Sequence, residues 1–149
     1  MDLLYQVYQY AWKAFSFNDK CDNKGVTIIA IRSTVGSIFV GVYDKPWKSS
    51  VGVYCEYGKA FLFSLKSPSN KPIPKNMLIM RKKFSSAVFH SYSFGPFFGY
   101  GLDLHILSHA NNNIKSHYNP GNNYVIPPGK TNTFLAGSNN FKVSEIEIF

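Results

Sequence analysis

The chain of 149 residues has the length of one domain and is long enough to bury a sizeable core. Apolar residues make up 45% and charged residues 16%, a balance that excludes a long disordered protein. Sixteen Lys and Arg residues against eight Asp and Glu residues give a formal net charge of +8, which favours polyanionic partners.

Three further features of the sequence set expectations for its cellular context. No apolar run approaches the roughly 18–20 residues that cross a bilayer, so we expect no transmembrane segment. The N-terminus has neither a basic region nor the long apolar region of a secretory signal. The two cysteines, Cys21 and Cys55, are too few for a disulfide framework. We therefore expect a reduced protein of the cytoplasm, the nucleus or both.

The first third of the chain predicts a helix followed by a hairpin. Apolar residues recur at helical spacing between Leu4 and Phe15, which predicts a helix over residues 8–20. Two runs rich in β-branched residues, 26–32 and 37–43, are separated by a turn and predict an antiparallel hairpin. Residues 44–50 are predicted to form a loop, because Pro46 and two serines interrupt any strand ladder.

The remainder predicts further short strands. Residues 59–66 are apolar on both faces, which favours a central strand. After a loop with three prolines come strands at 86–91 and 102–107, with an aromatic-glycine turn at 93–101 between them. Residues 109–128 are loop-rich, and the final run alternates, with one face formed by Phe141, Val143, Glu145, Glu147 and Phe149.

Short strands at this spacing predict a mainly β fold. We expect two antiparallel β-sheets packed as a sandwich, with one or two flanking helices. No internal repeat and no long linker divides the sequence, so residues 1–149 are predicted to form a single domain.

Six segments together resemble the TLDc domain family. They are CDNKGVTII at 21–29, IFVGVY at 38–43, PW at 46–47, KAFLFSL at 59–65, FGPFFGYGLDL at 94–104 and TFLAGSNNFKVSEIEIF at 133–149. Each match alone is weak, but the ordered set is specific and covers nearly the whole chain.

This resemblance implies a function as well as a fold. TLDc domains are sandwiches of two antiparallel sheets with flanking helices. The family is associated with protection against oxidative stress, and several members bind the vacuolar proton ATPase and regulate its assembly. No agreed catalytic site defines it. The resemblance thus implies a non-enzymatic interaction module without a cofactor, with the proton ATPase as a protein partner.

A basic interval supports an alternative function. No acid occurs between Glu56 and Asp103, and this interval holds seven basic residues: Lys59, Lys66, Lys71, Lys75, Arg81, Lys82 and Lys83. Basic side chains in loops contact phosphates and release counterions, so a stress-linked regulator that binds duplex DNA is the second hypothesis. The simpler interpretation is a solvated basic face that keeps the protein soluble.

Cys21 is the candidate redox residue. A sensing or peroxide-consuming thiol must be exposed and have a lowered pKa, because the thiolate is the nucleophile. Lys20 and Lys24 lie close in sequence and would favour the thiolate. The alternative is that Cys21 is a small buried hydrophobe, the commonest role of a free cysteine.

The acidic residues and the histidines offer weaker candidates. Glu145 and Glu147 share one strand face, with Asp103 expected opposite, and this acidic group suits protein interaction. No nucleophile, phosphate-binding or dinucleotide motif accompanies it, so we expect no catalytic site. His105 and His109 have the spacing of zinc ligands on a helix, but residues four apart on a strand stand roughly 13 Å apart. We expect no metal site.

Overall fold

A computed structural model describes residues 2–56, 58–68, 79–81 and 86–149, the side chains of Tyr10 and of 79–81 excepted. The described elements are, in chain order, β1 (Tyr5–Gln6), α1 (Val7–Tyr10), α2 (Ala14–Cys21), β2 (Thr27–Ser33), β3 (Ile38–Tyr43), β4 (Val51–Cys55), β5 (Ala60–Lys66), β6 (Ile79–Arg81), β7 (Val88–Ser91), β8 (Phe97–Phe98), β9 (Leu104–His105), β10 (Ser116–Tyr118), β11 (Asn140–Phe141) and β12 (Val143–Ile148).

Two antiparallel sheets form the architecture, which confirms the predicted mainly β fold. The first sheet has the strand order β1-β12-β2-β3-β5-β6, and the second has the order β11-β10-β9-β8-β7-β4. The first and last strands of the chain pair directly, with Tyr5 opposite Ile148. The core lies between the sheets, where the side chains of both inner faces interdigitate.

The contact between the sheets is close at β3. A Cβ atom added to Gly41 would lie 2.6 Å from Cζ of Phe98 in the second sheet. Trp47 is buried beside them, 5.9 Å from the Phe98 ring between centroids, and its indole Nε1–H donates a 2.7 Å hydrogen bond to Oγ1 of Thr27. The aromatic residues therefore fill the core, and glycine at position 41 makes room for one of them.

The predicted hairpin is confirmed as β2 and β3, which pair from Thr27 opposite Tyr43 to Arg32 opposite Ile38. Strand β5 lies between β3 and β6, in the interior of the sheet as predicted. Its two faces are not equally buried, however. Leu62 on the inner face is fully buried, whereas Phe61 and Phe63 on the outer face are half-buried. The second sheet covers only the inner side.

The single helix predicted over residues 8–20 is wrong. Ala11 has a positive φ of 73° and ends α1, so the chain turns before α2 begins. Two side-chain hydrogen bonds hold this break: the Tyr5 hydroxyl donates to the carbonyl of Ala11, and the Ala14 N–H donates to Oγ of Ser108, which is distant in sequence. Within the described ranges, no helix has the length and apolar character to cross a membrane.

The alternation predicted for the last strand is interrupted by a β-bulge. Val143 pairs with Ser33 but Glu145 already pairs with Arg32, so the register shifts between the two residues. An extra residue in one strand reverses which side chains face inward. Val143 is therefore buried while Glu145 and Glu147 point outward, and the prediction that all three share a face is wrong.

Five of the described strands lie where the sequence predicted none. Strand β1 precedes the predicted helix, β4 follows the predicted loop, β6 precedes the strand predicted at 86–91, β8 lies inside the predicted aromatic-glycine turn, and β10 lies inside the predicted loop region. Segments of two or three residues carry too little alternation to be recognised, and Gly52, with a φ of 99°, interrupts the pattern of β4.

Candidate interaction surface

The outward-facing side of the first sheet is the candidate site, and we call it the outer face. Strand register aligns its residues in rows: Glu147, Ala30, Val40 and Phe63 follow one another across four strands. The outer face comprises Ile28, Ala30, Arg32, Ile38, Val40, Val42, Phe61, Phe63, Glu145 and Glu147, of which Val40 is buried. It is apolar in the middle and acidic along β12.

The acidic side of the outer face is ordered by neighbouring polar groups. Nε of Arg32 lies 3.6 Å from Oε2 of Glu145, with both side chains partly exposed. Nε2 of Gln6 donates a 2.9 Å hydrogen bond to Oε1 of Glu147. A surface ion pair of this kind contributes at most about 1 kcal/mol to stability. Both carboxylates therefore keep most of their capacity for a partner.

The opposite side of the outer face carries an aromatic pair that sequence reasoning did not select. The rings of Phe61 and Phe63 are stacked, with centroids 6.0 Å apart, and both side chains are half-buried. Aromatic side chains of this kind are enriched among the residues that dominate binding energy at protein interfaces. The sequence did carry a signal for this pair. The strand is apolar on both faces, and in a sandwich of two sheets only one face of each strand is covered.

The family model of the TLDc domain matches residues 1–149, the whole chain. The protein belongs to the TLDc domain family. Membership implies, at the level of the family, an interaction module related to oxidative stress. A search of curated proteins finds no match.

Asp103 lies apart from the outer face of this TLDc domain. It is fully buried, where Oδ1 accepts a 3.2 Å hydrogen bond from the Asn122 N–H and Oδ2 a 2.9 Å bond from the Asn123 N–H. Burial raises the pKa of the Asp103 carboxyl, and the backbone donors partly offset this. The structure thus brings Glu145 and Glu147 together but uses Asp103 to anchor the loop at residues 121–124.

Cys21 occupies an environment unlike that of a reactive thiol. It has no exposed surface, and burial, with a smaller contribution from Asp22, raises its pKa to about 12 in spite of Lys24. A sensing thiol requires access and a lowered pKa, and this site supplies neither. The predicted effect of Lys20 and Lys24 is outweighed by desolvation. Cys55 is half-buried in β4.

The structure describes three of the seven residues of the basic interval between Glu56 and Asp103. Lys59 precedes β5 and Lys66 ends it, so their backbones stand roughly 23 Å apart along an extended strand. Arg81 closes β6, with its side chain outside the described part. Lys71, Lys75, Lys82 and Lys83 lie outside the described residues.

Two of the histidines lie on neighbouring strands of the second sheet. His105 of β9 pairs with His117 of β10, while His109 follows in the next loop. Burial lowers the pKa of His105 to about 4, and the nearby His117 adds to the effect. Among the described residues, no group of three or more His, Cys, Asp or Glu side chains is arranged to hold a metal ion.

Proposed function

We propose that this TLDc domain is a non-enzymatic protein-interaction module that contacts the vacuolar proton ATPase through its outer face. The match of the family model to residues 1–149 carries the proposal. The partner comes from the resemblance of the sequence to TLDc proteins that bind this ATPase. The outer face supplies a surface whose chemistry suits a protein.

The composition of the outer face supports a protein partner. An apolar centre flanked by aromatic rings can be desolvated, and such anchors provide most of the binding energy at an interface. The carboxylates of Glu145 and Glu147 then favour basic residues at the rim of the partner surface. We therefore expect the contact on the ATPase to be an apolar patch bordered by Lys or Arg.

Co-purification with nuclease treatment and cross-linking tests this function. The tagged chain is expected to retain subunits of the proton ATPase after nucleic acids are digested, and zero-length cross-links are expected to join Glu145 or Glu147 to lysines of a subunit. Cross-links that reach the ATPase only from residues outside the outer face would contradict the proposed surface. Loss of the ATPase on nuclease treatment would contradict direct contact.

The charge distribution favours DNA binding as the second candidate function. The net charge of +8 and the acid-free interval between Glu56 and Asp103 would attract a polyanion. Exchanging Arg81, Lys82 and Lys83 for glutamate is expected to abolish binding of labelled duplex DNA without changing the melting temperature. Fluorescence anisotropy in a salt series measures the effect, because phosphate contacts weaken steeply with salt. Retained binding by the triple variant would contradict this candidate.

A further inference from the structure

A groove lies on a different part of the molecule from the outer face. It is bounded by the segment between β3 and β4 and by β4 itself, the edge strand of the second sheet. Its volume is about 430 Å³, within the range of sites for small molecules. Tyr43, Val53, Cys55 and His90 line it together with two lysines.

The side chain of His90 places a buried nitrogen without a hydrogen-bond partner beside the groove. It is 6% exposed, and its Nε2 makes no hydrogen bond in the structure. The ring is fixed by Tyr43 and Trp47, with centroids at 5.8 Å and 5.6 Å. Burial lowers the pKa of His90, and the positive charge of Lys48 lowers it further against the opposing effect of Asp22. A neutral imidazole nitrogen left unpaired at this depth is stabilised by a ligand that hydrogen-bonds to it.

Two exposed lysines give the groove its charge. Lys45 and Lys48 line it, and neither forms an ion pair within the described part of the chain. Acids on neighbouring segments are directed to backbone amides instead. Oδ1 of Asp44 accepts from the Lys59 N–H, and Oδ2 of Asp22 accepts from the Ser49 N–H. Among the described residues, the lining itself thus holds two lysines and no acid, over a largely apolar surface, while the charges of Asp22 and Asp44 lie on neighbouring segments.

We propose that this groove binds a small organic carboxylate that also bears a hydroxyl group. The carboxylate pairs with Lys45 and Lys48, the apolar body of the ligand packs against Val53, and the hydroxyl exchanges a hydrogen bond with Nε2 of His90. A hydroxyl suits this position because it can donate to or accept from either tautomer of the imidazole.

Cys55 provides a reporter inside the groove. Its thiol lines the groove and interacts with the Tyr43 hydroxyl, whereas Cys21, the other cysteine, has no exposed surface. Iodoacetate and iodoacetamide alkylate a thiolate by the same reaction, in which an S–C bond forms and iodide leaves. They differ in that iodoacetate carries the carboxylate. Mass spectrometry of the intact and digested protein measures the rate at each cysteine.

The alkylation rates separate a binding site from a general positive potential. In the wild-type protein, the rate of Cys55 modification is expected to saturate with iodoacetate concentration and to rise linearly with iodoacetamide. Exchange of Lys45 and Lys48 for glutamate should abolish the saturation and lower the ratio of the two rates about tenfold. The matched control exchanges Lys115 and Lys130 for glutamate, an equal change of net charge away from the groove, and should behave as wild type.

A protection experiment tests the hydrogen bond. Para-hydroxybenzoate is expected to slow Cys55 alkylation by iodoacetamide, and neutral para-hydroxybenzyl alcohol is not. His90→Phe keeps an aromatic ring but removes the nitrogen, so protection should weaken. The proposal would be overturned if the rate of Cys55 alkylation rose linearly with both reagents and the ratio of the two rates were the same in all variants. It would also be overturned if Cys55 resisted both reagents in the folded protein but reacted with both in urea.

Discussion

At the scale of single residues, Gly137 combines a backbone requirement with a packing requirement. Its φ is +89°, and an added Cβ would lie 2.8 Å from Cγ of Pro68. Gly36 has the same φ but no atom within 4 Å of that position. Gly36→Val should therefore lose about 1–2 kcal/mol of unfolding free energy through backbone strain alone. Gly137→Val should lose about 1–3 kcal/mol more.

Urea denaturation of the two valine variants measures this difference. The comparison separates strain from contact, because both substitutions place the same β-branched side chain at the same φ. Equal losses in the two proteins would mean that the neighbours of Gly137 give way without cost. The account of its packing would then be wrong.

The burial of His105 predicts a pH dependence of stability. Its folded-state pKa of about 4 lies below the ordinary value of 6.5, so between these values the unfolded chain binds a proton that the folded chain excludes. The free energy of unfolding should therefore fall as the pH is lowered from 6.5 to 4. The His105 ring contacts Phe94 and Phe97, so a phenylalanine suits this position. The His105→Phe variant lacks the titrating group, and its free energy of unfolding should therefore fall less than that of the wild type over this pH range.

Urea denaturation at several pH values from 7 to 4 tests this dependence. His90 titrates in the same direction and Asp103 in the opposite direction. Both groups are present in the two proteins, so their effects cancel in the comparison. An identical loss for wild type and His105→Phe would show that the His105 ring takes up its proton in the folded state.

At the scale of elements, the two faces of β5 predict opposite outcomes for neighbouring residues. Leu62 is fully buried between the sheets, whereas Phe63 is only half-buried on the outer face. Leu62→Asp should unfold the domain, because it places an unpaired charge in the core. Phe63→Asp should remain folded and lose about 1–2 kcal/mol, although its sequence context alone predicts unfolding.

Circular dichroism melting curves measure the outcome for the two aspartate variants. A cooperative transition is expected for Phe63→Asp and none for Leu62→Asp. If both variants unfold, the outer face at Phe63 is covered and cannot serve as a contact surface. If both fold, β5 does not supply the core.

Local patterns predicted those elements that long-range contacts do not modify. The β2–β3 hairpin follows from β-branched runs around a turn, and its register agrees with that pattern. The break at Ala11 could not be predicted, because its supports come from Tyr5 and from Ser108 in a distant loop. The bulge before Glu145 could not be predicted either, since strict alternation fits the sequence equally well.

At the scale of the whole molecule, the sandwich buries the inner side of each sheet and leaves most of the outer face partly accessible to solvent. The ordered family motifs predicted both the fold and the family from sequence, because they span nearly the whole chain. The candidate site was predicted only in part. Glu145 and Glu147 were selected from their spacing, but the exposure of Phe61 and Phe63 depends on which side the second sheet covers.

Neighbouring residues in the sequence did not predict the pKa values and contacts of the candidate residues. Lys24 is near Cys21 in the chain, yet burial determines the pKa of this thiol. Asp103 resembles Glu145 and Glu147 in charge, yet it binds backbone amides inside the fold. Desolvation depends on the assembled sandwich, and no local pattern reports it.

Binding of the purified chain to purified vacuolar proton ATPase, measured by biolayer interferometry, tests the central claim most directly. The wild-type chain should bind, and Phe63→Asp should weaken binding about tenfold or more, as should the double exchange of Glu145 and Glu147 for lysine. The Lys115 and Lys130 double exchange for glutamate, a charge change of equal magnitude elsewhere, should leave affinity nearly unchanged. Absence of wild-type binding, or equal affinity for all four proteins, would contradict the assignment of the outer face as the contact surface.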